Sequence, residues 1–186
     1  MPKLYSIGHS SHALDHLLLL LREHQIEVVV DVRSTPYSHY SPQFAGPALE
    51  RALRSIRIRY LHMPQLGGRP LDRTFYDEAG HVLYQRVAAS ETFTQGLNRL
   101  LEGAAKYEMA VLCSEEDPIA CHRWRLIGRA VEEHGSPMLH IRGDGRTETH
   151  RGVLLRDEAE HPEAYQLRLL EAGEDQWRST KPVRTR

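Results

Sequence analysis

A chain of 186 residues is sized for one domain with a substantial core, and its formal charge of −1 excludes a global electrostatic pull toward nucleic acid or an anionic membrane. The apolar share of 40% and charged share of 26% are those of an ordinary globular protein, and the longest leucine run, Leu17 to Leu21, is far short of the ~20 residues a membrane span needs. No basic, apolar and small-residue series opens the sequence, so the expected compartment is the cytoplasm, where Cys113 and Cys121 stay reduced unless they do chemistry or bind metal.

Leu4 to Ile7 predicts a strand and Gly8-His9-Ser10-Ser11 the turn after it. Serine there is expected to cap a helix that places Leu14, Leu17, Leu18 and Leu21 on one face. Ile26 to Val32 is valine-rich without polar alternation, which suits a strand covered on both sides, and it leads through Asp31-Val32-Arg33 into an aromatic loop, Ser34 to Phe44. Gly46 to Ile56 predicts an arginine-rich helix buried through Leu49, Ala52, Leu53 and Ile56, and Ile58 to Met63 a third strand. The irregular stretch Pro64 to Asp77 is long enough to suggest a functional loop around Gly67, Gly68 and Arg69. Val82 to Ala89 and Thr92 to Lys106 read as helices, Met109 to Cys113 as a fourth strand and Pro137 to Ile141 as a fifth. Between these last two, Asp117 and Pro118 predict a helix start whose first turns carry Cys121, His122 and Arg123 and which Gly135 ends. Pro162 to Ala172 predicts a last helix.

Alternating strands and helices predict an α/β fold, a three-layer arrangement with a mostly parallel sheet of about five strands flanked by helices. The expected organisation is an α/β core over residues 1–143, an extension over 144–177 and a disordered basic tail over 178–186. Parallel strands share one carboxyl edge, so Gly8-His9-Ser10, Asp31-Arg33, the His62 to Arg69 loop and Cys113 through Arg123 are expected to meet there, the position at which such sheets hold ligands.

Tyr5-Ser6-Ile7-Gly8-His9-Ser10, Asp31-Val32-Arg33, Ser41-Pro42-Gln43-Phe44, Leu66-Gly67-Gly68 and Cys113-x-Glu115 with Cys121-His122-Arg123 resemble the motifs of the domain of unknown function 488 family. The resemblance runs from about Leu4 to Ile141 in the family's order. It implies a compact α/β domain and supplies no established reaction.

The chemistry therefore rests on the residues. Cys121 near a helix start, beside His122 and Arg123, is the better candidate for a thiolate, while Cys113 at the end of a buried strand has the acids Glu115, Glu116 and Asp117 after it to raise its pKa. Asp31-Val32-Arg33 followed by a strand-end cysteine is also similar to rhodanese-like sulfurtransferases, whose cysteine loop is shorter and less acidic. Cysteine and histidine together suit zinc, but C-x7-C-H is no standard ligand spacing, and neither a metal nor a cofactor is assigned. The leading expectation is an enzyme for a phosphate-bearing small molecule, nucleotide or nucleic-acid end. His9 moves a proton with Asp31 orienting it, Cys121 or Glu115 takes part in the chemistry, and the substrate is held by Gly8, Ser10, Arg33, Gly67, Gly68, Arg69, His122 and Arg123. Two alternatives stand beside it: a thiol- or metal-dependent protein, and a non-catalytic nucleic-acid or nucleotide binder. The binder would use loop aromatics such as Tyr37 and Tyr40 and the stretch Arg51 to Arg73, in which six arginines face the single acid Asp72.

Overall fold

The computed structural model describes residues 3–37, 39–163 and 177–183. Six strands form one sheet: β1 (Leu4–Gly8), β2 (Val28–Asp31), β3 (Arg59–His62), β4 (Met109–Cys113), β5 (Met138–Ile141) and β6 (Thr147–Thr149), in the order β3-β2-β4-β1-β5-β6. The first five are mutually parallel, as the apolar, non-alternating runs of β1, β2 and β4 suggest; β3 (RYLH) is a largely exposed parallel edge, and β6 adds antiparallel to β5 as an edge the sequence pattern does not announce. Three residues with two outward-facing threonines carry too little periodicity to mark a strand.

The helices are α1 (Leu14–Glu23), α2 (Gly46–Ser55), α3 (Tyr84–Ala88), α4 (Glu91–Ala104), α5 (Arg129–Glu133) and α6 (His150–Glu160). Alternate side chains of each buried strand divide the core in two. Tyr5, Ile7, Val29, Ala110 and Leu112 pack on Leu17, Leu20 and Leu21 of α1 and Leu49 and Leu53 of α2. Leu4, Val28, Val30, Met109 and Val111 pack on Phe93, Leu97 and Leu100 of α4 and Ala130 and Val131 of α5. The result is the expected three layers. At about 1.5–3 kcal/mol for each fully buried large aliphatic or aromatic side chain, these two faces supply most of the driving force that opposes chain entropy.

Local chemistry departs from expectation at two helix starts. α1 begins after Ala13, with no side-chain cap, because Ser10 takes a left-handed conformation (φ 46°) that serves the preceding turn instead. Asp117 does cap, accepting from Ile119 N, but it caps a single 3-10 turn, Pro118–Ala120. The chain then straightens at Cys121 (φ −112°, ψ 150°) before winding into a wide π-helical turn, Arg123–Gly128, that runs into α5.

Of the tail expected to be disordered over 178–186, the described residues 178–183 lie against the domain. Arg178 bridges to Leu83, Ser179 N donates to Val82 O and Val183 N to Gly80 O, while the Trp177 indole donates to Arg125 O. Backbone pairing and one half-buried indole hold what composition alone marks as loose. The helix expected over Pro162 to Ala172 falls almost wholly outside the described residues. Among the described residues, no helix is long and apolar enough to cross a membrane.

Candidate functional site

The register of the sheet sets β4 between β2 and β1, with Gly8 opposite Cys113 and Asp31 opposite Leu112. Connections after β1 and β2 cross one face through α1 and α2, and those after β3 and β4 cross the other through α4 and α5. Connections leaving in opposite directions open a crevice at the carboxyl ends of the strands. The loops after β1, β2, β3 and β4 meet at that edge.

At its β2 end, Asp31 is fully buried and grips Arg33. Its carboxylate accepts from Arg33 N (3.1 Å), Nε (2.9 Å) and Nη2 (2.5 Å), and from the Tyr60 hydroxyl (2.7 Å). Arg33 Nη2 also donates to Phe44 O, and Nη1 lies 3.2 Å from His9 Nε2. A guanidinium can only donate, so His9 Nε2 is the acceptor and Nδ1 carries the proton it gives to Ser10 O at 2.8 Å. The ring also stacks on Phe44, which is core and not a loop lid. His9 thus has both nitrogens occupied, and Asp31 orients Arg33 and not His9. The proton-moving role expected of this histidine does not fit that geometry. It positions the arginine.

Burial holds His9 neutral, with its pKa down at about 4, and does the same to His150, which stacks on Trp124. In the unfolded chain both take up a proton near pH 6.5, so between about 4 and 6.5 the unfolded state binds more protons and stability rises with pH. Lowering pH from 7 to 5 is expected to cost on the order of 1–2 kcal/mol for each ring. Urea unfolding midpoints at the two pH values check this, and His9→Gln should flatten part of the dependence.

The β4 end holds the thiols. Arg123 is the largest wholly buried side chain among the described residues. It donates through Nη1 to Ser6 Oγ (3.2 Å), through Nη2 to the carbonyls of Glu115 (2.5 Å) and Glu116 (3.2 Å), and through Nε to Cys121 Sγ (3.4 Å). Among the described residues no carboxylate pairs with it. A buried guanidinium needs an anion, and the sulfur of Cys121 is the group in reach that can be one. Cys121 also caps the π-helical turn: its carbonyl accepts from Trp124 N and Arg125 N, and its Sγ from Arg123 N (3.4 Å). Burial alone would raise this thiol's pKa, but a hydrogen bond from Cys113, the Arg123 guanidinium and His122 together hold it well below the usual range. Cys113 moves the opposite way, raised by its bond to Cys121, by burial and by the charges of Cys121 and Glu115, whose Oε2 lies 3.1 Å from its sulfur. The surroundings thus drive the two sulfurs apart, Cys121 down and Cys113 up.

Only one of the three acids in this loop faces the thiols. Glu116 bonds Arg142 (2.9 Å) and Gly143 N, which keep its pKa low, and Asp117 bonds Arg156 of α6 (2.9 Å). The acidity that sets this loop apart from an anion cradle is largely a clamp onto β5, β6 and α6.

His122 Nδ1 lies 3.8 Å from Cys113 Sγ and 3.7 Å from Cys121 Sγ, so the three donor atoms could meet one ion. The surroundings fit a metal poorly. A dication would enter beside the buried guanidinium of Arg123, and His122 Nε2 has no partner among the described residues, whereas ligating imidazoles are anchored through the outer nitrogen.

A cavity of about 500 Å³ opens above the sulfurs, the size of a small-molecule site. Cys113, Cys121 and His122 line one side, Arg33, Arg69 and Lys181 bring three cations, and the exposed Glu115 brings one acid. A smaller, more apolar cavity of about 290 Å³ beside β3 is lined by no cysteine, serine or histidine.

Several expected ligand groups are not free to bind. In the first turn His9 N donates to Cys113 O and Ser10 N to Ser114 O, so Gly8 and Ser10 form no anion cradle; a Cβ at Gly8 would stand 1.7 Å from Glu115 O, which is why that position is glycine. Gly67 N donates to Pro64 O; Gly68, by contrast, does line the cavity, where the lack of a side chain lets the loop pack on the His122 ring, 2.6 Å from where a Cβ would sit. Arg123 lies behind Cys121 and not on the cavity wall. Of the six arginines from Arg51 to Arg73 only Arg69 reaches the cavity; Arg54 pairs with Glu50 and Arg59 covers Tyr107. Sequence reasoning missed Ser34, whose Oγ accepts from Arg69 N, and Lys181. Ser34 directly follows Arg33 at a strand end and was readable in principle; nothing in the sequence ties Lys181 to this edge.

A family model described as "Domain of unknown function DUF488" matches residues 13–130. Among curated proteins, none matches the chain.

Proposed function

The chain belongs to the domain of unknown function 488 family, and from that premise, which fixes no reaction, we propose that it is a thiol-dependent enzyme acting on a small anionic, phosphate-bearing substrate. The observation that carries the reading is a buried guanidinium whose available anion is the sulfur of Cys121, at the floor of a cavity with three cations on its walls. Arg69 and Lys181 attract and hold the substrate, with Arg33 fixed by Asp31 and His9 as the rigid member of the set. The Cys121 thiolate attacks the electrophilic atom, and Glu115, exposed at the mouth, exchanges the proton of the leaving or attacking group with solvent. The concentration of arginines outside the cavity into surface pairs gives no comparable support to a non-catalytic nucleic-acid binder.

Alkylation of folded protein tests this. Iodoacetate, an anion, is expected to modify Cys121 below pH 7 and faster than neutral iodoacetamide, reversing their order on a free thiol. Arg69→Ala with Lys181→Ala should slow iodoacetate by about tenfold and leave iodoacetamide little changed, as added salt should also do. If neither reagent reaches Cys121 until the protein unfolds, the enzyme reading fails.

A further inference from the structure

The two sulfurs have a relation that nucleophilic attack by Cys121 does not require. Cys113 and Cys121 are the only cysteines in the chain, their sulfurs lie within 4.8 Å of each other, and both face the same cavity. Cys113 ends a strand hydrogen-bonded on both sides, and Cys121 sits in the extended link between a 3-10 turn and a π-helical turn, held by its own N and O bonds with its sulfur turned toward Cys113. Glu115 Oε2, on an exposed side chain, stands 3.1 Å from the Cys113 sulfur, ready to take its proton to solvent.

We propose that the pair carries out two-electron dithiol–disulfide chemistry, with Cys121 the attacking sulfur, Cys113 the resolving sulfur, Glu115 the proton acceptor and a small hydroperoxide the oxidant. The thiolate of Cys121 attacks the terminal peroxide oxygen; the O–O bond breaks, an S–O bond forms, and the departing alkoxide or hydroxide takes a proton to leave as alcohol or water. The Cys113 thiol passes its proton to Glu115 and attacks the Cys121 sulfur; the S–S bond forms as the S–O bond breaks, and the hydroxyl takes that proton and leaves as water. Sulfur is oxidised by two electrons and the peroxide reduced by two.

The surroundings also set the direction in which this disulfide is unstable. Its formation removes the anion beside Arg123 and leaves a wholly buried guanidinium with only neutral acceptors. The reduced form is favoured, so the disulfide is oxidising and is readily reopened by a small thiol, unlike a structural bridge.

This rests on the thiolate reading above, and the test separates the two. Wild-type protein treated with stoichiometric hydrogen peroxide is expected to lose two hydrogens in intact mass and both thiols to Ellman's reagent, and to recover them on adding glutathione. Cys113→Ser, or Cys113→Ala if serine impairs folding, should instead gain one oxygen on Cys121, trapped by dimedone, and form no intramolecular disulfide. Direct progression of the wild type to the doubly oxygenated acid overturns the proposal, as does a peroxide-inert protein whose Cys121 still reacts with iodoacetate. That second result leaves the nucleophile standing, and failure of iodoacetate as well removes both.

Discussion

Arg123→Met is expected to destabilise the fold by about 3–5 kcal/mol and to shift the onset of Cys121 alkylation upward by about two pH units, on the order of a hundredfold loss of reactivity at neutral pH. Methionine fills much of the same space, so the effect is electrostatic. It removes the cation beside the sulfur together with donors to Ser6 Oγ, Glu115 O and Glu116 O. A buried thiolate left without a counter-charge protonates, since that costs less than remaining charged in a low-dielectric site. Arg123→Lys keeps the charge and loses the fork, so it should fall between the two and restore part of the pH shift. Iodoacetamide rates across pH, with urea unfolding alongside, measure both consequences. An unchanged pH–rate profile in the methionine variant would show that the sulfur is not the guanidinium's partner.

Gly8→Ala should be the most damaging single methyl in the molecule, at more than about 4 kcal/mol, enough to prevent accumulation of folded protein. Its Cβ would lie 1.7 Å from the Glu115 carbonyl oxygen and 3.0 Å from Arg123 Nη2. Neither neighbour can yield cheaply. The carbonyl belongs to backbone that accepts from Arg123, and Gly8 is locked opposite Cys113 by the ladder and by the bonds from His9 N and Ser10 N. Gly135→Ala is the control: φ there is +75° with open space around it, so the cost is the roughly 1 kcal/mol of a left-handed alanine. Soluble yield and urea midpoints of the two variants compare a steric collision with conformational strain.

The layered fold was legible because it is written in burial. The leucines of α1 and α4 and the valines of β2 show the periods that pack against a two-sided sheet, and five parallel strands follow from their alternation with helices. The meeting of the strand-end loops was legible for the same reason. The division of labour within it was not. Asp31 and Arg33, two residues apart, could be read as partners, but that His9 would accept from Arg33 depends on β1 and β2 lying either side of β4. Arg123 looked like a ligand for anions because a basic residue near a helix start usually faces solvent; it turns inward because Cys121, extended and capping, places a sulfur beneath it. Short elements were hidden too. The π-helical turn differs from an ordinary helix by one residue of winding, and β6 has three residues, so neither leaves a periodic trace.

The wall formed by residues 179–183 bears on how the molecule is made. The sulfurs and Arg123 are synthesised roughly 60–70 residues before Val183, an interval on the order of 3–14 s at typical elongation rates of about 5–20 residues per second. During that window the sheet can assemble with its reactive pair open on one flank and Lys181 not yet delivered. Until residues 179–183 pack against the cavity, the sulfurs have one wall fewer between them and any oxidant, so delivery of that segment closes the flank.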